Sequence, residues 1–143
     1  MLGDGPERAR LEALAGHDEQ IRFVGALDDE RKRAWMRRVN VLLAPSTGGE
    51  SFGLILLEGM ASELAVVASD IAGYREAAGD HATLARPGDD ESLEMAITKA
   101  LTSETAESIE SARRHAQRWS MSHLVDEYET LYDTARRRFQ TAL

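Results

Sequence analysis

The chain has no cysteine, no long apolar run and fewer basic than acidic residues among its 143 positions. The absence of cysteine excludes disulfide frameworks, thiolate metal sites and cysteine nucleophiles, and it agrees with a cytoplasmic setting. No apolar run reaches the length of a membrane span, and the N-terminus lacks the basic-then-apolar order of a signal peptide. The sequence therefore predicts a cytoplasmic protein without a membrane span.

Basic residues are scarce, with 17 Lys and Arg against 25 Asp and Glu, which gives a net charge of −8. Phosphate backbones bind clustered Lys and Arg, so this balance predicts no nucleic-acid partner. An anionic ligand must instead be held by local geometry, because the overall field is unfavourable to it. The four histidines are scattered without metal-ligand spacing, and the sequence predicts no metal site.

Strand and helix patterns alternate along the first two thirds of the chain. The strand candidates are short apolar segments with little alternation of polar residues, as in strands covered on both faces. This order predicts an α/β fold, a Rossmann-like parallel sheet flanked by helices over residues 1–103, followed by a helical C-terminal extension over residues 104–143. The strand candidates are Ile21–Gly25, Val41–Pro45, Ala65–Asp70 and, more weakly, His81–Pro87.

The segment Thr47–Ala61, TGGESFGLILLEGMA, is mostly apolar but contains two acids, Glu50 and Glu58. It follows a predicted strand, and ligands of open parallel sheets bind at the carboxyl ends of the strands. Its glycines let the backbone approach a ligand, and free N–H groups at a helix start form a seat for phosphate. A carboxylate beside that seat can accept hydrogen bonds from vicinal hydroxyls.

Both acids also have a structural interpretation. Glu50 could simply complement the positive end of a helix that we expect to begin near Ser51, and spacing alone favours neither alternative. Glu58 lies in a helix that is apolar nearly all round, so we expect it to be buried and to need a partner. That partner is either an internal Arg or a pair of ligand hydroxyls.

The two acids and the seven residues between them resemble the motif of retaining GT-B glycosyltransferases of family four. The string GGESFG in particular resembles actinobacterial phosphatidylinositol mannosyltransferases. The resemblance is to the C-terminal, donor-binding domain of that fold, without its first strand and helix and without the N-terminal acceptor-binding domain. Further matches occur in the same order in GDGPE, IRFVGALDD, AVVASDIAGYRE, ARPGDDESL and WSMSHLVDEYETLY.

The resemblance implies an enzyme that transfers a hexose, with mannose as one candidate, from a nucleotide-diphospho-sugar to an acceptor. The donor would be GDP-mannose or a UDP-sugar, with no further cofactor, and residues 1–103 would bind it. Glu50 would contact the hexose as the catalytic residue, and Glu58 would bind the ribose hydroxyls. The remaining donor contacts, mainly through backbone groups, would come from Gly49, Ser51, Phe52, Gly53, Leu54, Phe23, Val24 and Gly25.

Two partners besides the nucleotide sugar are expected. The resemblance implies an N-terminal acceptor-binding domain, which would complete the site. An uncovered sheet edge and apolar helix faces predict a homo-oligomer, because exposed edges and patches favour association. The alternative function is a non-catalytic, truncated module that binds a nucleotide or a partner chain.

Overall fold

Residues 1–140 are described in the structure, a computed structural model of the chain, and the last three residues of the predicted helical extension lie outside this range. The described chain divides into two compact units, Met1–Arg38 and a second unit that begins at Val39. The predicted division at residue 103 falls at the end of a helix, Asp90–Ser103, and it stays a prediction.

The first unit contains two helices, α1 (Arg8–Ala15) and α2 (Asp29–Met36). Helix α1 ends at Gly16, whose φ of 61° is the left-handed conformation that favours glycine after a helix. Asp28 caps α2, because its carboxylate accepts a hydrogen bond from the Arg31 N–H at 2.8 Å. Local groups thus set the end of α1 and the start of α2.

The strand predicted over Ile21–Gly25 is wrong. Gly25 forms only isolated bridges with Leu2 and Gly3, and the neighbouring Val24 N–H donates to the Met1 carbonyl at 2.9 Å. A strand needs a continuous ladder of backbone partners, and the backbone contacts of this segment are isolated bonds that form no ladder. The apolar composition that indicated a covered strand is also misleading, since Ile21 is 42% exposed.

The second unit contains a parallel sheet of three strands, β1 (Val41–Ala44), β2 (Ala65–Ser69) and β3 (Thr83–Ala85), in that spatial order. Both strand pairs are parallel, and a helix follows each strand. The predicted α/β fold class is therefore confirmed. The helices of this unit are α3 (Leu54–Ala61), α4 (Ala72–Ala78), α5 (Asp90–Ser103), α6 (Ala106–Gln117) and α7 (Met121–Gln140).

Strand β2 is central, and each of its residues is buried. Val66 and Ala68 face a core formed with α3, α4 and α6, whereas Ala65 and Val67 face a second core formed mainly with α5. Alternate residues of a strand point to opposite faces, so a strand covered on both faces must be apolar throughout. This accounts for the uninterrupted run AVVAS.

The extension after α5 is helical over the described residues, as predicted. Helix α6 packs against α3 and buries Ala112 and Ala116. Helix α7 begins at Met121 and has its large apolar side chains mostly exposed. None of the helices in the described chain is both long and apolar enough to cross a bilayer.

Candidate functional site

The turn between β1 and α3 contains most of the predicted site residues. Helix α3 begins at Leu54, three residues later than predicted, because Gly53 has left-handed φ and ψ angles of 85° and 41°. Glycine adopts this conformation readily, whereas a right-handed helix cannot contain it. The helix therefore begins only after Gly53. The Glu50 carboxylate folds back over the helix start, and its Oε1 accepts a hydrogen bond from the Gly53 N–H at 3.3 Å.

One side of this turn is open. A Cβ atom built on Gly48 or Gly49 would meet no atom within 4 Å. Gly49 has a φ of 80°, so the backbone conformation, not lack of space, favours glycine there. The open side lets another molecule approach the backbone before α3.

Phe52 and Leu54 have opposite environments. The Phe52 ring is half-buried and lies edge-on to Trp119, with ring centroids 5.0 Å apart and planes at 67°. Edge-to-face pairs of this kind are favourable, so the contact anchors the turn to the segment after α6. Leu54 is 64% exposed at the first position of α3. Gly49, Ser51 and these two residues thus lie on one continuous stretch of backbone.

Glu58 lies on α3 and is half-buried, so the expectation that it is buried is wrong. The helix buries one face only, and the residues on that face are Leu56, Leu57, Gly59 and Met60. Leu54, Glu58 and Ala61, spaced by four and three residues, share the more open face. Glu58 follows Leu54 by one turn, or about 6 Å along the axis. Both acids are therefore close to the open start of α3.

The first turn of α4 lies directly behind the turn that contains Glu50. A Cβ atom on Gly73 would come within 2.6 Å of the Glu50 carbonyl oxygen, so the two backbones are in contact. Tyr74 is 2% exposed, its ring lies against Gly53, and its hydroxyl is 3.2 Å from Ser46 Oγ.

Sequence reasoning missed Gly73, Tyr74 and Ser46. A signal was present, because Gly73 and Tyr74 follow β2 within the string SDIAGYRE. The loops after neighbouring parallel strands lie side by side at the carboxyl edge of a sheet. Residues just after β2 therefore had to be considered together with the turn after β1.

Four charged side chains at this edge of the sheet form two ion pairs. Arg75 Nε donates to the carboxylate of Asp70, and its Nη2 donates to the Asp70 carbonyl at 3.2 Å. The hydrogen bond from Arg75 lowers the pKa of Asp70 below its ordinary value. Arg86, just after β3, pairs with Asp89 at 2.8 Å. In residues 1–140, no three His, Asp or Glu side chains form a group that could hold a metal ion.

The three residues predicted to border the nucleotide base lie in the first unit. Phe23 and Val24 are half-buried, and Gly25 is buried with a φ of 81°. A Cβ atom on Gly25 would approach Arg8 Nη1 to 3.0 Å. Their contact with a base stays a prediction.

Residues 1–103 match the family of glycosyl transferases group 1. The chain belongs to this family. It is 36% identical over 141 residues to the phosphatidyl-myo-inositol mannosyltransferase of Mycobacterium leprae, with 92% of this chain and 37% of that protein covered. The corresponding protein of Mycolicibacterium smegmatis is 37% identical over 142 residues, with 92% and 36% covered. The resemblance found in the sequence is confirmed, and the chain spans 36–37% of the length of these two relatives.

Solved structures of glycosyltransferases have the same fold. Sucrose-phosphate synthase from Thermosynechococcus elongatus is similar with a TM-score of 0.79 and 25% identity, over 96% of this chain and 38% of that one. A glycosyltransferase from Rickettsia africae is similar with a TM-score of 0.78 and 20% identity, over 94% and 38%. The sheet and helices of this group 1 chain therefore have the architecture of one part of these larger proteins.

Proposed function

We propose that the chain is the donor-binding part of a retaining glycosyltransferase, which transfers a hexose from a nucleotide-diphospho-sugar to an acceptor. The observation that carries the proposal is the open turn before α3, where the Glu50 carboxylate lies over the Gly53 N–H and Glu58 shares the open face of the helix. The relatives named above are mannosyltransferases, which makes mannose the first candidate hexose. A structural neighbour, HepE of Anabaena, has been solved with UDP-glucose.

The start of α3 suits the diphosphate of such a donor. A helix start carries roughly half a positive charge and presents free N–H groups to an anion. The Glu50 carboxylate accepts a hydrogen bond from one of these groups, the Gly53 N–H. We propose that the diphosphate takes over this N–H and that Glu50 then accepts hydrogen bonds from the hexose.

The proposed transfer breaks the bond between the sugar C1 and the diphosphate oxygen. The acceptor oxygen forms its bond to C1 on the same face, and its proton passes to the departing diphosphate. Negative charge grows on the leaving oxygen, so the N–H groups of Ser51–Leu54 stabilise the transition state electrostatically. No protein nucleophile and no resident cofactor are needed for this step.

The remaining contacts are proposed from the family resemblance. Glu58 binds the ribose hydroxyls, since one carboxylate can accept from both members of a vicinal pair. Phe23, Val24 and Gly25 border the base. We also propose a cytoplasmic setting, with which the absence of cysteine agrees. An acceptor-binding domain is the proposed partner that completes the enzyme.

Calorimetric titration of the chain with GDP, UDP, GDP-mannose and UDP-glucose tests the proposal. We expect millimolar affinity, which corresponds to about −4 kcal/mol, because the net charge opposes an anionic donor. Glu58→Ala should remove most of this binding. Glu94→Ala, an exposed acid on α5, removes the same charge and serves as control. Equal affinity of the two variants would contradict the proposed role of Glu58. A requirement for Mg²⁺ would contradict the expectation that no further cofactor is needed.

A radiolabelled transfer assay separates the enzyme from the alternative, a non-catalytic binding module. We expect no transfer by the chain alone, because positioning of the acceptor contributes several kcal/mol to such reactions. Transfer that begins when an acceptor-binding domain is added supports the enzyme. Donor binding without transfer in that mixture supports the binding module.

A further inference from the structure

Gly73 is a glycine that its own helix does not need. It lies within α4, and its φ is not in the left-handed region. Inside a helix glycine is less favourable than alanine, because it loses more conformational freedom. The reason for glycine lies outside α4, since a Cβ atom would come 2.6 Å from the Glu50 carbonyl oxygen and 3.0 Å from the Ser51 carbonyl carbon. Only glycine lets the two backbones approach this closely.

Tyr74 contacts both ends of the same turn. Its ring faces Gly53, where a Cβ atom would lie 2.6 Å from the ring Cδ1. Its hydroxyl is 3.2 Å from Ser46 Oγ, near the start of the turn. The side chain is 2% exposed, so the ring is held by packing and cannot move aside freely. One buried side chain therefore ties the beginning of the turn to its end.

Helix α4 is itself held at its first turn. The Arg75 side chain donates to both the carboxylate and the carbonyl of Asp70, the residue that follows β2. This double contact connects α4 to the end of the central strand. Helix α4 thus contacts both the end of β2 and the turn that contains Glu50.

We propose that Gly73 and Tyr74 are positioning residues that hold the Glu50–Gly53 turn in the shape that receives the nucleotide sugar. The proposal rests on the proposed function for its ligand, but not for the contacts that carry it. Gly73 has no side chain and the Tyr74 side chain is buried, so neither residue is available to contact a ligand directly. They act through the position of Glu50 and the N–H groups before α3, and a displacement of about 1 Å at such groups can cost a hundredfold in rate.

Gly73→Ala tests the backbone contact, and Gly79→Ala is its matched control. Gly79 ends the same helix with a φ of 53°, so alanine there is strained, yet its Cβ would meet only the His115 ring, at 3.4 Å. Both variants lose stability, which urea unfolding measures. Only Gly73→Ala displaces the turn.

Two readouts are compared at a temperature at which all variants are folded. The first is hydrogen exchange of the Gly53 amide, followed by NMR without ligand, because this amide is bonded to Glu50. The second is the ratio of the dissociation constants of a nucleoside diphosphate and its sugar derivative, GDP with GDP-mannose or UDP with UDP-glucose. We expect Gly73→Ala to speed the exchange of the Gly53 amide about tenfold and to abolish the contribution of the sugar to binding affinity. Gly79→Ala should change neither the exchange nor that contribution.

Tyr74→Phe keeps the ring against Gly53 and removes only the hydroxyl next to Ser46. We expect a smaller change in the same direction, about threefold in Gly53 exchange. This variant carries the test if Gly73→Ala does not fold.

The outcomes separate this proposal from the proposed function. If the unmodified chain binds none of the nucleotide sugars, the proposed function fails, while Gly53 exchange still tests the positioning role. Unchanged exchange in Gly73→Ala and Tyr74→Phe would overturn that role. An equal increase of Gly53 exchange in Gly79→Ala would also overturn it, because the increase would then result from general destabilisation.

Discussion

Helices α3 and α7 carry similar large apolar side chains but place them in opposite environments. In α3, Leu56, Leu57 and Met60 are at most 6% exposed, whereas Leu131 and Tyr132 of α7 are 65% and 73% exposed. Helix α3 lies against β1, β2, α4 and α6. A helical spacing of apolar residues therefore predicts that a face exists, and only the surrounding structure, or another molecule, covers it.

The exposed large apolar side chains of α7 form a stripe along one side of the helix. Most of them follow one another at three or four residues, the spacing that places side chains on one helix face. Full burial of each such side chain is worth about 1.5–3 kcal/mol, so burial of several would stabilise a complex between α7 and a partner. The stripe consists of Met121, Val125, Tyr128, Leu131 and Tyr132.

Truncation of a leucine in each helix tests this comparison with the largest expected effect. Leu56→Ala leaves a cavity in the core and should lower the free energy of unfolding by about 2–5 kcal/mol. Leu131→Ala, the same chemical change on the exposed stripe, should cost less than about 0.5 kcal/mol in the isolated chain. Urea unfolding of both variants measures the difference. Similar losses would mean that the stripe is already covered in solution.

Substitution of glycine sharpens the comparison between packed and open backbone. A Cβ atom on Gly59 of α3 would lie 2.7 Å from Leu42 Cδ2, whereas one on Gly48 meets nothing within 4 Å. Gly59→Ala should cost about 1–3 kcal/mol through overpacking, partly offset by higher helix propensity. Gly48→Ala should leave the unfolding midpoint nearly unchanged. A larger loss for Gly48→Ala would show that the turn is closed by contacts other than those described.

The predicted homo-oligomer gives the stripe a function that can be tested. If two copies associate through α7, Leu131→Asp places a charge in the interface and should weaken association about tenfold or more, that is about 1.4 kcal/mol. Sedimentation velocity over a range of concentrations measures this. Asp133→Asn on the same helix is the control. A chain that sediments as a monomer at high micromolar concentration would contradict the oligomer.

The smallest expected effect concerns pH and the contact between α6 and the end of α4. The His81 and His115 rings have centroids 4.7 Å apart, and His115 Nε2 lies 2.8 Å from the Ala77 carbonyl oxygen. Burial lowers the pKa of His81, the charges of His115 and Arg118 act in the same direction, and Asp80 opposes them.

Below the ordinary histidine pKa of about 6.5, the unfolded chain binds more protons at His81 than the folded chain does. The contribution of His81 to stability should therefore be constant above that pH. It should fall as pH drops from about 6.5 toward the lower pKa of His81 in the folded state. Urea midpoints at pH 7.5 and 5.5 measure the loss, and His81→Asn should reduce it. An unchanged loss in the variant would assign the pH dependence to other groups.

Several features that depend on residues close in sequence were predicted correctly, although α3 begins at Leu54 and not near Ser51. Strands β1, β2 and β3 were predicted from short apolar segments with little alternation of polar residues. The helix caps Asp28 and Asp89 are local features of the same kind. A cap acts through a hydrogen bond to an N–H three residues away, so the necessary atoms are already in the local string. The turn that contains Glu50 was recognised for the same reason, because its glycines and acids are contiguous.

Features that need a distant neighbour were decided only by the tertiary structure. Ile21–Gly25 is not a strand, because a strand depends on a partner that its own sequence does not contain. Glu58 is half-buried, because α3 is covered on one face only. Gly73 touches Glu50 because β1 and β2 are neighbours in the sheet, which brings together backbone atoms far apart in the chain. Periodicity and capping are local, whereas close packing joins whichever residues the fold makes adjacent.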